Sequence, residues 1–327
     1  MDRRAFLKAS VAGLSSSFVL GGISAGLPRE AKAANLTFDF TIDEVMKTVT
    51  SSQDVLTWQY VNAVQPGPGA LNSSIVVNEG DVVTINIQNN LTSNHSVNLV
   101  IPGLLDVSAA AAPGAMQTYT FTATTVGSYC YFDNVNGLLG KAMGLVGPLV
   151  VLPVDGSMAL TPGLPNPNNY NRDYVLLLHE IDSRINDAIA AGLTADMNSY
   201  QPNFFFVNGL SYPDTVFADP VNGIIDDTKV IYMLSGEDVS IRLINGGLIY
   251  YPMHFHGYHV NVINRNRVFE EFIVDKDTVL VKPDETVETI LNVGTQLGLY
   301  PLHTHFVPGV TTAGKYAGGG LLMMKAV

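Results

Sequence analysis

Two stretches of the chain, EGDVVTINIQN at residues 79 to 89 and SGEDVSIRLIN at residues 235 to 245, match position for position. Each opens on an acidic glycine turn, alternates apolar with polar residues and closes on asparagine. Alternation with a period of two puts every second side chain on one face of a strand, the pattern of a sheet with one face buried. A strand that recurs at this separation points to a duplicated domain, each copy the size of a β-sandwich. Beyond residue 35 the rest of the chain follows suit: short runs rich in Val, Ile, Thr, Tyr and Phe, cut by Gly, Pro and Asn, with almost no helical period. Its 327 residues suffice for two cores, and 47% hydrophobic against 14% charged is the balance of a packed protein. The expectation is an all-β chain of two tandem Greek-key β-sandwich domains, at 35–155 and 170–327, joined by a linker at 156–169 rich in Pro, Gly and Asn. One short helix is expected within SRINDAIAAGLTADM, 183 to 197.

Residues 1–34 stand apart. Arg3 and Arg4 precede a weakly apolar run, and a small-x-small ending falls at Ala31, Lys32 and Ala33, the layout of an export signal cleaved near Ala33. The DRRAFLK start resembles the twin-arginine type, a route for proteins already folded, often with cofactor inserted. Gly and Ser dilute the run below the roughly 20 apolar residues of a membrane span. The mature chain is therefore expected in the periplasm or outside the cell, without a stable membrane span. Cys130 is the only cysteine, so no internal disulfide can form. A net charge of −12 with no basic patch beyond the leader excludes nucleic acid as a partner.

The chain has seven histidines, and five of them fall in YYPMHFHGYHV, 250 to 260, and PLHTHF, 301 to 306. On a strand residues i and i+2 share a face, so His254 and His256 project together, as do His303 and His305. Two such pairs on neighbouring strands would gather four imidazoles, a donor set that favours copper or zinc over magnesium, calcium or manganese. Gly257 allows a bend or a close backbone approach just after the first pair. His95 and His179 stand alone and are read as hydrogen-bonded rings without metal.

These neighbourhoods carry a resemblance. YYPMHFHGYHVNVI, DTVLVKPDETVETILNV and GLYPLHTHFVPG with GKYAGGGLLMM are similar to the final domain of multicopper oxidases, whose pattern runs H-P-x-H-x-H-G and later H-C-H. PGPGALNSSIVVNEGDVVTINIQNNL resembles the opening of the family's first domain, YTFTATTVGSYCYF and MGLVGPLVVLP its closing strands, and FFFVNGLSYPD the start of its last domain. The resemblance covers almost the whole mature chain and implies two cupredoxin-like domains, as in two-domain laccases and copper nitrite reductases. It places His254, His256, His303 and His305 on positions that in the family bind the coupled type 2 and type 3 coppers.

The departures are as informative. Tyr251 stands where the family has a blue-copper histidine, Thr304 where it has the cysteine thiolate, and Leu321 where it has the axial methionine. In domain 1 the H-x-H-G position aligns with Val100, Ile101, Pro102 and Gly103, and the second H-x-H with Phe132, Asp133 and Asn134. His95 falls where nitrite reductases keep a blue-copper histidine. Strand alternation sends Cys130 to the opposite face from Asp133, so it reads as a small buried hydrophobe. If chains assemble as in the two-domain relatives, a homo-oligomer such as a trimer, Val100 and Phe132 would face a neighbour's histidines as an apolar lid.

The function expected is an exported copper-binding protein holding one or two non-blue coppers through His254, His256, His303 and His305, for storage, delivery or limited redox chemistry. The alternatives are a copper-dependent oxidoreductase of laccase or nitrite reductase type and a metal-free periplasmic adaptor on the same scaffold. A zinc hydrolase is a weaker alternative, since no placed base is evident.

Overall fold

In the computed structural model the described residues are 33–50, 53–62, 73–164 and 168–327. The export signal expected over the first 34 residues lies almost wholly outside them. The first half of the chain contributes strands β1 (Asn35–Thr50), β2 (Gln53–Asn62), β3 (Ile75–Asn78), β4 (Val82–Asn89), β5 (Met116–Thr122), β6 (Gly127–Phe132) and β7 (Val146–Leu152). Helix α1 (Leu138–Met143) interrupts the last two. A sheet ordered β2-β1-β4-β5 faces a sheet ordered β3-β7-β6. Between them lies a core built on Trp58, Tyr60, Ile85, Tyr131 and Leu149.

The second half opens with β8 (Arg172–Ile181), helix α2 (Ser183–Ala190) and β9 (Phe204–Val207), followed by the short strands β10 (Phe217–Asp219), β11 (Ile224–Ile225) and β12 (Ile231–Met233). Then come β13 (Asp238–Asn245), β14 (Tyr251–Phe255), β15 (Val260–Arg265) and β16 (Val268–Lys276). The last four are β17 (Thr278–Val281), β18 (Thr286–Asn292), β19 (Gly298–Thr304) and β20 (Leu321–Ala326). A sheet ordered β16-β15-β18-β13-β8-β9 packs on one ordered β12-β20-β19-β14-β17. The core between them holds Leu176, Ile241, Met253, Phe255, Leu302 and Leu322. The chain is thus all-β in two tandem sandwiches, as the alternation predicts, and they are cupredoxin-like, as the resemblance implies.

The repeated stretches occupy equivalent places. β4 runs parallel to β1 and antiparallel to β5, and β13 runs parallel to β8 and antiparallel to β18. The closing asparagines do the same work in both copies. Asn89 donates its amide to the His95 and Ala111 carbonyls, and Asn245 donates to those of Ile249 and Val281. Each fully buried amide therefore organises the loop that follows its strand, and in the second copy that loop leads into β14 and the histidines.

Two elements are seen in more detail than the sequence reading gives. Within the expected linker Leu160, and just after it Tyr170, pack on Ile263 and Ile290 of the second sandwich. The helix is shorter than its stretch. Asp182 caps it by accepting from the Arg184 amide, and it ends at Ala190. Its Ile189 enters the first core, while Asn186 donates to the Leu56 carbonyl at 2.7 Å. Among the described residues no helix is long and apolar enough to cross a membrane.

Candidate metal centre

β14 and β19 are antiparallel neighbours with His254 directly opposite His303. Because Met253, Phe255, Leu302 and Thr304 fill the inner face, alternation turns His254 and His303 outward, with His256 and His305 one pleat further on. The structure thus brings all four predicted histidines together. Ring centroids lie 4.6 Å apart for His254 and His256, 4.4 Å for His254 and His305, 5.0 Å for His256 and His303, and 5.4 Å for His303 and His305. Gly257 follows at φ 75°, and a Cβ there would stand 2.5 Å from the Tyr300 ring. The bend after His256 therefore requires glycine.

The hydrogen bonds fix which nitrogens face the cluster. His254 Nδ1 lies 3.0 Å from the Asp277 carbonyl and 3.0 Å from Thr278 Oγ1, and His303 Nδ1 lies 3.0 Å from the Thr304 carbonyl. A carbonyl can only accept, so both Nδ1 atoms carry the proton and both Nε2 atoms are lone-pair donors in the neutral rings. His303 Nε2 then accepts from His256 Nε2–H across 2.9 Å. Burial, followed by the neighbouring imidazoles, lowers the proton affinity of His256 and His305, which favours the neutral rings that a metal needs.

This donor set fits copper. Four imidazole nitrogens with no thiolate among them are a donor set that copper takes, and His254, His256, His303 and His305 would hold it. Among the described residues no three His, Cys, Asp or Glu side chains already converge as a metal cage. The tetrad is instead held by its own imidazole–imidazole hydrogen bond, and His256 would ligate through Nε2 once its proton sits on Nδ1.

The positions where a blue site would need ligands are built otherwise. Tyr251 is buried and donates its hydroxyl to Glu180 Oε2 at 2.7 Å. Thr304 is buried opposite Met253 and accepts from the Phe306 amide, and Leu321 lies opposite His303. In domain 1, Asp133 accepts from the Asn98 and Asn136 amides, while the Asn98 side chain bonds Asn134 in both directions. A carboxylate–amide network thus fills that end of the sandwich.

Val100 and Phe132 are cross-strand neighbours, as the alignment requires, but they offer no free lid. Val100 is buried, and the Phe132 ring packs beside Cys130, Val146, Leu177 and Ile244 with the Lys141 ammonium 3.8 Å from its centre. Contact with the chain's own second sandwich has claimed that face.

The remaining histidines lie away from the tetrad. His95 packs against Trp58 with ring centroids 4.8 Å apart and the planes tilted by 52°. His179 is buried with Nε2 2.8 Å from the Lys141 carbonyl, and burial pushes it down to about 4. His259 is exposed beside Asp275. Cys130 lies in the apolar contact between the sandwiches, where burial pushes its thiol up to about 12. The native protein should therefore resist a thiol-specific reagent at pH 8 and react fully once denatured. Fast labelling of the folded chain would contradict that placement.

Fold and site together describe a two-domain cupredoxin-like protein with a histidine tetrad on the outer face of its second sandwich. Multicopper oxidase family models match residues 45–155 and 195–322. Those segments take in most of the chain, which belongs to the multicopper oxidase family. Copper resistance protein A of Pseudomonas syringae pv. tomato is 26% identical over 195 residues, 54% of this chain and 29% of that protein. Laccase-4 of Arabidopsis thaliana is 26% identical over 294 residues, 83% of this chain and 47% of that protein. The chain thus spans less than half the length of these relatives.

Among solved structures, a blue copper oxidase from Nitrosomonas europaea superposes with TM-score 0.71 at 22% identity, over 90% of this chain and 86% of that one. A copper nitrite reductase from the same organism gives 0.63 at 19% identity, over 90% and 94%. At these identities the likeness is one of fold.

Sequence reasoning missed the buried charged groups. Glu180 is the penultimate residue of the apolar run YVLLLHEI, and Arg242 interrupts an apolar strand. A charge in so apolar a segment is the one signal that could have flagged either.

Proposed function

We propose that this chain is an exported copper-binding member of the family, which holds one or two non-blue coppers through His254, His256, His303 and His305. The observation that carries the reading is the gathering of four imidazoles, two of which have Nδ1 tied to a carbonyl and Nε2 left as a lone-pair donor, with no thiolate beside them. Bound copper would supply a centre that can hold Cu(I) or Cu(II). The residues then do three things: Asp277 and Thr278 orient His254, the Thr304 carbonyl orients His303, and burial followed by the neighbouring imidazoles favours the neutral forms of His256 and His305. All four donors come from one chain, on a face open to solvent, which suits uptake and release. Storage or delivery of copper fits the likeness to a copper resistance protein, and the twin-arginine leader would place that activity in the periplasm or outside the cell.

Copper titration with electron paramagnetic resonance tests the reading. Copper is expected to bind without the intense blue absorption of a thiolate site. His254→Ala combined with His303→Ala should abolish binding, His95→Ala and His179→Ala should leave it intact, and acid should weaken it as the imidazoles protonate. A wild-type chain that binds no copper would sink the proposal in favour of a metal-free adaptor. Steady phenol oxidation or nitrite reduction would favour an enzyme.

A further inference from the structure

Glu180 is fully buried near the end of β8, and its carboxylate is met only by donors. Oε2 accepts from the Tyr251 hydroxyl at 2.7 Å, and Oε1 accepts from the Leu248 amide at 2.5 Å and the Tyr200 hydroxyl at 3.3 Å. A Cβ at Gly247 would stand 1.9 Å from Oε2, so only glycine there lets the 246–249 turn close over the carboxylate. This cluster joins the six-stranded sheet to the first residue of β14, the strand that carries His254.

We infer that Glu180, acting through the Tyr251 hydroxyl, is a positioning residue for the histidine tetrad. β14 has only five residues and is fixed from both faces. Tyr251 anchors its start from inside, and three residues on, about 10 Å along an extended strand, His254 is held from outside by Asp277 and Thr278. Losing the inner anchor frees the strand to tilt about the outer one. A ligand set must be held to within about 0.5 Å to keep its geometry, so a small tilt is felt at the metal. Tyr251 and Glu180 touch no imidazole, and their effect passes through the backbone of β14.

The inference rests on the copper-binding reading, and the test separates the two. In the full chain, Tyr251→Phe removes one hydroxyl and keeps the ring. We expect it to melt cooperatively, to bind copper about tenfold more weakly against a competing chelator, and to shift the metal-free imidazole NMR signals of His254 and His256 but not that of His179. A lower melting temperature with unchanged affinity and unchanged imidazole signals would mean a structural role only and would overturn the inference. Should wild type bind no copper, the proposed function falls, and the imidazole signals alone decide the positioning role: a shift sustains it, no shift overturns it. Should Tyr251→Phe fail to fold, Glu180→Gln, which keeps the volume, takes its place in the same measurements, and the same outcomes sustain or overturn the inference.

Discussion

Arg242→Ala should lower the unfolding free energy by about 3–5 kcal/mol, measured by urea denaturation at neutral pH. The guanidinium is fully buried, with Nε 2.8 Å from Asp173 Oδ1 and Nη1 2.6 Å from Glu288 Oε1. Glu288 also accepts from Ser128 Oγ of the first sandwich at 2.6 Å and from the Asn264 amide at 2.5 Å. Removing the cation leaves two carboxylates facing each other away from water, and the contact between the sandwiches loses its polar centre. Adding Asp173→Asn and Glu288→Gln to the alanine variant should recover most of the loss, since the cost lies in uncompensated charge and not in the space vacated. A loss that the double amide replacement leaves untouched would show that packing, not charge, sets the penalty.

Arg242 also marks a limit of what the sequence shows. In the first copy of the repeat its position is Asn86, which faces solvent and bonds the exposed Asp39. The same pleat position is outside in one sandwich and inside in the other because β6 covers β13 and β18. That covering is a long-range fact no local period encodes. The histidine pairs were legible for the opposite reason: i and i+2 share a face on any strand, so only the adjacency of β14 and β19 was left to the fold. Val100, Phe132, Tyr251 and Thr304 could be read as missing ligands, yet not what replaced them. The amide network around Asp133 and the carboxylate behind Tyr251 are drawn from residues 35 and 71 positions away. Glu180 closes a strand too uniformly apolar to show which face it takes.

Glu180 and His179, adjacent in sequence and both buried, should give the protein opposite pH dependences that mask each other. Burial raises Glu180 from 4.5 to about 7, against the hydrogen bonds it accepts from the Leu248 amide and the Tyr251 and Tyr200 hydroxyls. The folded state holds that proton more tightly than the unfolded state. Its contribution is therefore fullest below about pH 4.5 and is lost as pH rises to 7. Burial lowers His179 from 6.5 to about 4, aided by the Lys47 and Lys141 ammonium groups. That contribution is full above pH 6.5 and is lost as pH falls toward 4. At about 1.4 kcal/mol per pH unit each amounts to roughly 3 kcal/mol, and between pH 6.5 and 4.5 they cancel. Glu180→Gln should then lose stability on acidification relative to wild type, and His179→Gln should gain it, in urea unfolding at a series of pH values. Because every other titrating group is common to the three proteins, the differences isolate this pair. Two variants whose pH profiles ran parallel to wild type would show that neither group keeps its shifted proton affinity in the folded chain.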